Sequence, residues 1–353
     1  MPRTMKAAVY VAPGRVEIQE VPVPEVGPGE LLLRVEACGI CHTDLKKIAY
    51  GLLPPPRIFG HETAGVIVRT GPGVEGFRAG ERVVVFHHIP CEECFYCRRR
   101  LYAQCPVYKR VGVTAGFEPA GGGFAQYTRV LPWIVPRGVE RIPEGVAFEQ
   151  ASMVEPVNTC HKAIEQLDPQ PGDLVLVMGQ GPIGLLFTLL ARLRGARVAA
   201  TERLPYRRLL SRELGAEHCW DPVGEDVPAR VRQLSGGRGA DSVIVAVSAP
   251  GIVEQAVAAS RPGSRILLFS QTSHEEKVVL PGAEICVAER TIFGCYSASI
   301  ELQRESARMV FEGTLPVERL ISHRLPLEQI GEGIRLALHP EERSLKIVVR
   351  PQA

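Results

Sequence analysis

Four cysteines, Cys91, Cys94, Cys97 and Cys105, crowd into a window of 15 residues. Thiolates at such spacing can wrap one tetrahedral Zn²⁺, each sulfur about 2.3 Å from the metal. Adjacent C-x-x-C pairs make poor structural disulfides. The window holds no histidine and leaves no ligand position open. Segment 91–105 therefore reads as a knuckle around a structural zinc.

Upstream, Cys38-Gly39-Ile40-Cys41-His42-Thr43-Asp44 is followed by Gly60-His61-Glu62. Cysteine, histidine and carboxylate separated in this way suit a catalytic zinc, where three protein ligands leave a fourth position open. Either the cysteine or the histidine alone would read as an ordinary core or surface side chain. Together, ahead of a separate four-cysteine knuckle, they point to a second metal.

A third constellation reads as a phosphate site. The apolar run Leu174-Val175-Leu176-Val177-Met178 leads straight into Gly179-Gln180-Gly181-Pro182-Ile183-Gly184 and then a long apolar helix reaching Arg194. A glycine fingerprint alone is weak; here it has a strand before it, a helix after it and an acid about 20 residues on. Gly179 permits a tight turn, Gly181 lets backbone approach a pyrophosphate, and Gly184 lets helix and strand pack closely. The helix start offers free N–H groups and a positive dipole end to the phosphates. Glu202 closes the next strand, where a carboxylate accepts from adenosine ribose hydroxyls and repels a 2′-phosphate. That favours NAD, while Arg203, Arg207 and Arg208 stand close enough to serve NADP instead.

The elements that must position these groups fall into two blocks. The chain has 353 residues, enough for two full cores, with 45% hydrophobic and 23% charged residues and a net charge of +2. No basic patch suggests a nucleic-acid partner, no apolar run is long enough for a membrane helix, and the N-terminus shows no signal core. Ten cysteines, four in a metal-type cluster, fit a reducing cytoplasm better than a disulfide scaffold. Residues 6–11, 15–21, 31–35, 66–68 and 82–86 read as strands punctuated by proline and glycine turns. A helix over 151–167 opens a second pattern, with strands 174–178, 197–201, 242–247 and 265–269 alternating with helices near 183–194, 206–214 and 252–260. Alternation of this kind predicts a doubly wound α/β domain. The tail returns to mixed structure, with helices over 300–312 and 327–338 and strands over 320–325 and 345–349. It is placed to complete the β-rich first part.

Taken together, the C-H-T-D and G-H-E motifs, the knuckle, the dinucleotide fingerprint and the C-terminal return resemble the zinc-dependent medium-chain alcohol dehydrogenases over nearly the whole chain. The resemblance implies an α/β protein: a β-rich GroES-like catalytic domain from 1–153 and 294–353, and a Rossmann domain from 154–293. It implies that Cys41, not Cys38, and His61 bind the catalytic zinc. The third ligand is expected at the start of the crossing helix, in Met153-Val154-Glu155-Pro156. Glu155-Pro156 resembles the sorbitol and threonine dehydrogenase branch, where the glutamate binds zinc directly or through water. Glu62 is an alternative ligand, and Cys160 a competing one that lies five residues late. Thr43 is expected to relay the substrate proton, and Asp44 to orient the His61 imidazole. His42 and Lys346 are expected at the cofactor pyrophosphate, with Gly179, Gly181, Pro182, Ile183, Gly184, Glu202 and Arg207 completing the nucleotide site. Where many members end the proton relay with a histidine, this chain has Lys46; that lysine, a water chain or another base must finish it.

The same resemblance implies two zinc ions per chain, hydride transfer to NAD or NADP, a cleft between the domains that holds both ligands, and a cytoplasmic homo-tetramer or dimer. The stretch 290–297 is a candidate interface edge. Glu155 in place of a cysteine points to a secondary alcohol or polyol; threonine and simple primary alcohols are the alternatives. Tyr50, Phe86, His87, His88 and Phe117 are candidates to line the pocket. A zinc-free quinone reductase or a non-catalytic NAD(P)-binding protein would fit the fold, but not the presence of Cys41, Thr43 and His61 together.

Overall fold

The structure, a computed structural model, describes residues 2–86, 88–111, 121–270, 277–340 and 343–353, without the side chains of 109–111. It divides into two units, Met1–Asn158 with Ala298–Ala353, and Thr159–Ser297. The boundaries expected at 153/154 and 293/294 lie about one helical turn earlier. The side-chain amide of Asn158 explains the offset. Its Nδ2 donates to the Ser299 carbonyl and its Oδ1 accepts the Ser299 N–H, both at 2.9 Å, so the outgoing and returning chain are stitched together within the first unit.

The second unit is built on a six-stranded sheet. Its order is His218–Trp220, Arg197–Thr201, Leu174–Met178, Ala240–Val245, Ser260–Leu268, Thr291–Gly294, and every pairing is parallel. Counted along the chain this is 3-2-1-4-5-6, the doubly wound order that places a dinucleotide at the carboxyl end of the first strand. That strand, Leu174–Met178, is paired on both sides, and all five of its residues are buried. Burial on both faces is why its sequence is a continuous apolar run rather than an alternation.

The first unit holds a three-stranded sheet, with Thr4–Ala12 between Arg15–Pro22 and Arg57–Ile58, and a larger mixed sheet. The larger sheet runs Ile321–Pro326, Lys346–Arg350, Leu31–Gly39, Glu62–Thr70, Arg82–Val85, Val139–Arg141, and Tyr127–Val130 also pairs with Leu31–Gly39. The tail does complete the β-rich part: Val348 pairs with Gly39 and Val349 with Cys38. Val35, Cys38, Leu45, Ile48, Phe59, Phe124, Ile347 and Val349 share one core beneath this seam.

Three local features differ from the sequence expectations, and the first two have a physical cause in the chain. The strand expected over 31–35 runs on to Gly39, because the tail strand supplies partners for its last residues. The helix expected over 151–167 is broken at Met153 into Phe148–Ser152 and Val154–Leu167. Pro156 has no N–H to give and would clash inside a continuous helix, whereas in a first turn that donor is free anyway. Helix His42–Tyr50 was not expected at all.

Candidate active site

Helix His42–Tyr50 begins at Cys41, and its first turn carries Thr43 and Asp44. The Asp44 carboxylate is buried and works in two directions. Oδ2 accepts the Cys41 N–H at 3.4 Å, and Oδ1 lies 3.2 Å from Nδ1 of the buried His61. Asp44 therefore fixes the start of its own helix and the orientation of the imidazole, leaving Nε2 of His61 for another partner. Burial alone would push the Asp44 carboxyl up, but the neighbouring His61 outweighs it and holds it low. Burial likewise opposes a charge on His61, and Asp44 and Cys41 overcome it and raise the imidazole well above its ordinary range.

Glu62 begins the strand Glu62–Thr70 and is also buried. The donor atoms of Cys41, His61 and Glu62 all lie within 4.8 Å of one another. Glu62 Oε1 accepts from the Lys346 ammonium at 2.6 Å, and Lys346 also donates to the Ile40 carbonyl at 3.1 Å. Glu62 Oε2 has no hydrogen-bond partner although it is buried. An orphaned carboxylate oxygen beside a thiol and a fixed imidazole is the donor set a divalent cation would satisfy. The residues present fit a zinc ion.

Glu155 lies in the first turn of Val154–Leu167, buried, with Oε1 4.0 Å from Nδ1 of the buried His88. It is not in the compact group of three. Burial pushes its carboxyl up to about 7; the charge on His61 pulls the other way and Glu62 adds to the rise. The His88 ring stands at 90° to the His61 ring, centroids 5.7 Å apart, and 5.0 Å from that of Tyr108.

Other expected residues are placed less simply. Lys346, expected at a cofactor pyrophosphate, is buried on Glu62. Cys160, the competing ligand, points its thiol at the Ile183 carbonyl at 3.9 Å within the second unit. His42 and Tyr50 are exposed, Tyr50 at 73%, and Phe86 is a core residue. Lys46 sits on the same helix as Thr43, three residues on, and burial lowers its ammonium. His87 and Phe117 lie outside the described residues.

The knuckle is compact. Cys94 and Cys97 Sγ are 3.5 Å apart, and Cys91 and Cys105 Sγ 3.6 Å. Four sulfurs around one zinc would stand about 3.8 Å apart, given bonds of about 2.3 Å. All ten cysteines are free of disulfides. Burial pushes the Cys105 thiol up, but N–H groups of Cys91, Tyr108 and Val107 aimed at its sulfur outweigh that and bring it down to about 7. Such a thiol is readily converted to the thiolate a metal needs.

In the second unit the fingerprint loop has the expected shape. Gly179 has φ +92°, which favours glycine, and a Cβ on Gly184 would sit 1.8 Å from the Gly179 carbonyl oxygen. A Cβ on Gly181 would meet only Arg207 Nη1, at 3.7 Å, so the backbone there is open to an approaching phosphate beside a guanidinium. Helix Pro182–Leu193 starts at that point. Glu202 is buried at the end of its strand, Oε2 accepting the Gln180 N–H at 2.9 Å and Oε1 the Leu204 N–H at 3.0 Å. Arg207 Nη1 is 4.0 Å from Glu202 Oε2. Arg208 bonds instead to the Glu202 and Arg203 carbonyls and to Asp221. These residues fit a dinucleotide. Sequence reasoning missed the buried Gln180 and Thr188 side chains beneath the loop, whose only signal is a polar residue inside the fingerprint and one threonine in an apolar helix.

Comparison with known proteins finds one family for both parts of the chain. Residues 27–138 match the alcohol dehydrogenase GroES-like domain, and residues 182–312 match the zinc-binding dehydrogenase family. The L-threonine 3-dehydrogenase of Pyrococcus horikoshii is 33% identical over 334 residues, covering 92% of each chain. The sorbitol dehydrogenase of Bacillus subtilis is 28% identical over 357 residues, covering 99% of this chain and 98% of that one. The crystal structure of a zinc-binding dehydrogenase from Sinorhizobium meliloti bound to NADP superposes with a TM-score of 0.88 at 28% identity, covering 99% of this chain and all of that one. The chain thus belongs to the zinc-dependent, NAD(P)-linked medium-chain alcohol dehydrogenases, in the branch of the sorbitol and threonine dehydrogenases.

Proposed function

We propose that the chain oxidises a secondary alcohol or polyol at the Cys41, His61 and Glu62 cluster and passes the hydride to NAD. The observation that carries this reading is the three donor atoms within 4.8 Å of one another, one of them an orphaned carboxylate oxygen. Zinc would be held there by Cys41 and His61, with Glu62 or Glu155 as the third ligand. When bound, the zinc supplies Lewis-acid polarisation of the alcohol oxygen and the nicotinamide accepts the hydride.

The chain's own residues do the rest. Asp44 keeps the His61 ring in one orientation. Thr43 accepts the hydroxyl proton as it gives up its own, which passes to the neutral amine of Lys46 on the same helix face, to a water chain or to another base. Glu155, its carboxyl raised to about 7 by burial, would exchange a proton near neutral pH or serve as the third ligand. A second zinc would sit on Cys91, Cys94, Cys97 and Cys105 and hold that segment together. His42, Gly179, Gly181, Pro182, Ile183, Gly184, Glu202 and Arg207 would contact the cofactor. NAD is preferred because Glu202, pinned through both oxygens, would face a 2′-phosphate.

Oxidation of L-threonine is the second reading, favoured by the identity to the P. horikoshii enzyme. The exposed end strand Thr291–Gly294 and the nearby Val287, 81% exposed, suit a homo-oligomer, a tetramer or dimer. Ten free cysteines suit the cytoplasm.

The test is zinc content per chain for the wild type and Glu155→Ala, with NAD⁺ and NADP⁺ reduction on a panel of polyols, secondary alcohols, threonine and ethanol. Two zincs and polyol oxidation in the wild type, with activity lost in the variant, support the reading. One zinc in both and no alcohol oxidised would sink it.

A further inference from the structure

The glycine fingerprint carries a side chain that no phosphate-binding role requires. Gln180, between Gly179 and Gly181, is completely buried, and so is Thr188 in helix Pro182–Leu193. Thr188 Oγ1 donates to Gln180 Oε1 at 2.9 Å, and Gln180 Nε2 donates to the Gly179 carbonyl at 3.0 Å. The main-chain N–H of the same residue donates to Glu202 Oε2 at 2.9 Å. One residue therefore ties together the strained turn, the helix that presents its N–H groups to the phosphates, and the carboxylate that would read the ribose.

Burying an amide is costly unless its groups are bonded, and a small apolar side chain would fill this space without that cost. The amide instead fixes two things a methyl group could not. It holds the Gly179 carbonyl, the atom 1.8 Å from any Cβ at Gly184, so the turn keeps φ +92° against the helix. Through Thr188 it locks the loop to the helix interior, so that the Gln180 N–H stays aimed at Glu202.

We propose that Gln180 and Thr188 are positioning residues for the dinucleotide: a buried clasp that pre-organises the loop and the Glu202 carboxylate, setting both cofactor affinity and the preference for NAD over NADP. This rests on the NAD(P) reading of the loop. Pre-organisation lowers the ordering cost of binding, so its loss appears in affinity rather than in the chemical step.

The experiment is fluorescence titration of NADH and NADPH onto the full chain for the wild type, Gln180→Met, Thr188→Val, Thr188→Ala and Thr188→Ser, with steady-state kinetics alongside. Gln180→Met and Thr188→Val should weaken NADH binding about tenfold, the effect of one or two lost hydrogen bonds. They should also narrow the NADH to NADPH ratio. Thr188→Ser should stay within about twofold of wild type, while kcat at saturating NAD⁺, the alcohol KM and zinc content hold steady. If Gln180→Met does not fold, Thr188→Ala against Thr188→Ser decides, since they differ in the hydroxyl alone: weaker NADH binding in the alanine variant supports the clasp. Equal NADH affinity across the variants, with wild-type binding intact, overturns it. A wild type that binds neither cofactor overturns the cofactor reading as well.

Discussion

Lys346 and Glu62, 284 residues apart in sequence, meet as a buried ion pair at 2.6 Å. Burial works against the Lys346 charge, and Glu62, with Cys41 behind it, more than restores it, so the ammonium is raised above its ordinary value. Removing one partner of such a pair leaves an uncompensated charge in a dry site. In the metal-free chain, Lys346→Met should therefore destabilise the first unit by about 3–5 kcal/mol. Urea denaturation reads this directly, and the double variant with Glu62→Gln should recover much of the loss. A Lys346→Met chain as stable as wild type would mean that the pair is not held as described.

Asp44 touches both the backbone of Cys41 and the ring of His61 without belonging to the group of three. Its carboxylate sets which imidazole nitrogen remains for a metal. Asp44→Asn should lower zinc affinity at this site about 10- to 100-fold while leaving the knuckle metal in place. Competition with a chelator, followed by metal count, separates the two sites. Loss of both metals together would show that Asp44 supports the fold rather than the ligand.

How much of this was written locally in the chain differs from element to element. Leu174–Met178, buried on both faces, had to be an unbroken apolar run, and the fold itself requires glycine at Gly179 and Gly184. The cysteine spacing of the knuckle is that of a site drawing four thiolates from one short segment, and the fold does bring the four sulfurs together. Helix His42–Tyr50 was not legible, because a cysteine is an unusual residue to begin a helix and only Leu45 and Ile48 of this short stretch are buried apolar side chains. Strand His218–Trp220 was missed as well, being only three residues long. The Lys346–Glu62 pair and the approach of His88 to Glu155 depend on tertiary closure, which no local pattern records. Gln180 was read only as the variable position of a motif, since nothing in sequence says which way its side chain turns.

The knuckle and the rest of the first unit are joined at Glu301. Arg100 holds it with two bonds, at 3.0 and 2.9 Å, and Tyr102 donates at 3.1 Å. Arg100 is well exposed, so Glu301→Gln should cost less than about 1 kcal/mol. Cys94→Ser, by contrast, should release one zinc and cost on the order of 4 kcal/mol, the scale of a lost structural metal. Thermal unfolding with metal analysis checks both. A Cys94→Ser chain that keeps two zincs would contradict the four-thiolate site.

Gly181 and Gly184 stand three residues apart in one motif but face different obstacles. A methyl group on Gly184 would lie 1.8 Å from the Gly179 carbonyl oxygen, which is backbone and cannot step aside. At Gly181 the same methyl would find only Arg207 Nη1 at 3.7 Å, and φ there is −67°, which alanine accepts. Gly184→Ala should therefore damage the fold of the second unit itself, by several times the roughly 1 kcal/mol that separates alanine from glycine at unstrained positions. Gly181→Ala should leave the free chain as stable as wild type or up to about 1 kcal/mol more stable. Its methyl occupies the space where a pyrophosphate would approach, so NADH binding should fall at least about tenfold. Denaturation and NADH titration on the same two variants separate the roles. If Gly181→Ala binds NADH as wild type does, the pyrophosphate does not cross that backbone, and the cofactor site must be sought elsewhere in the unit.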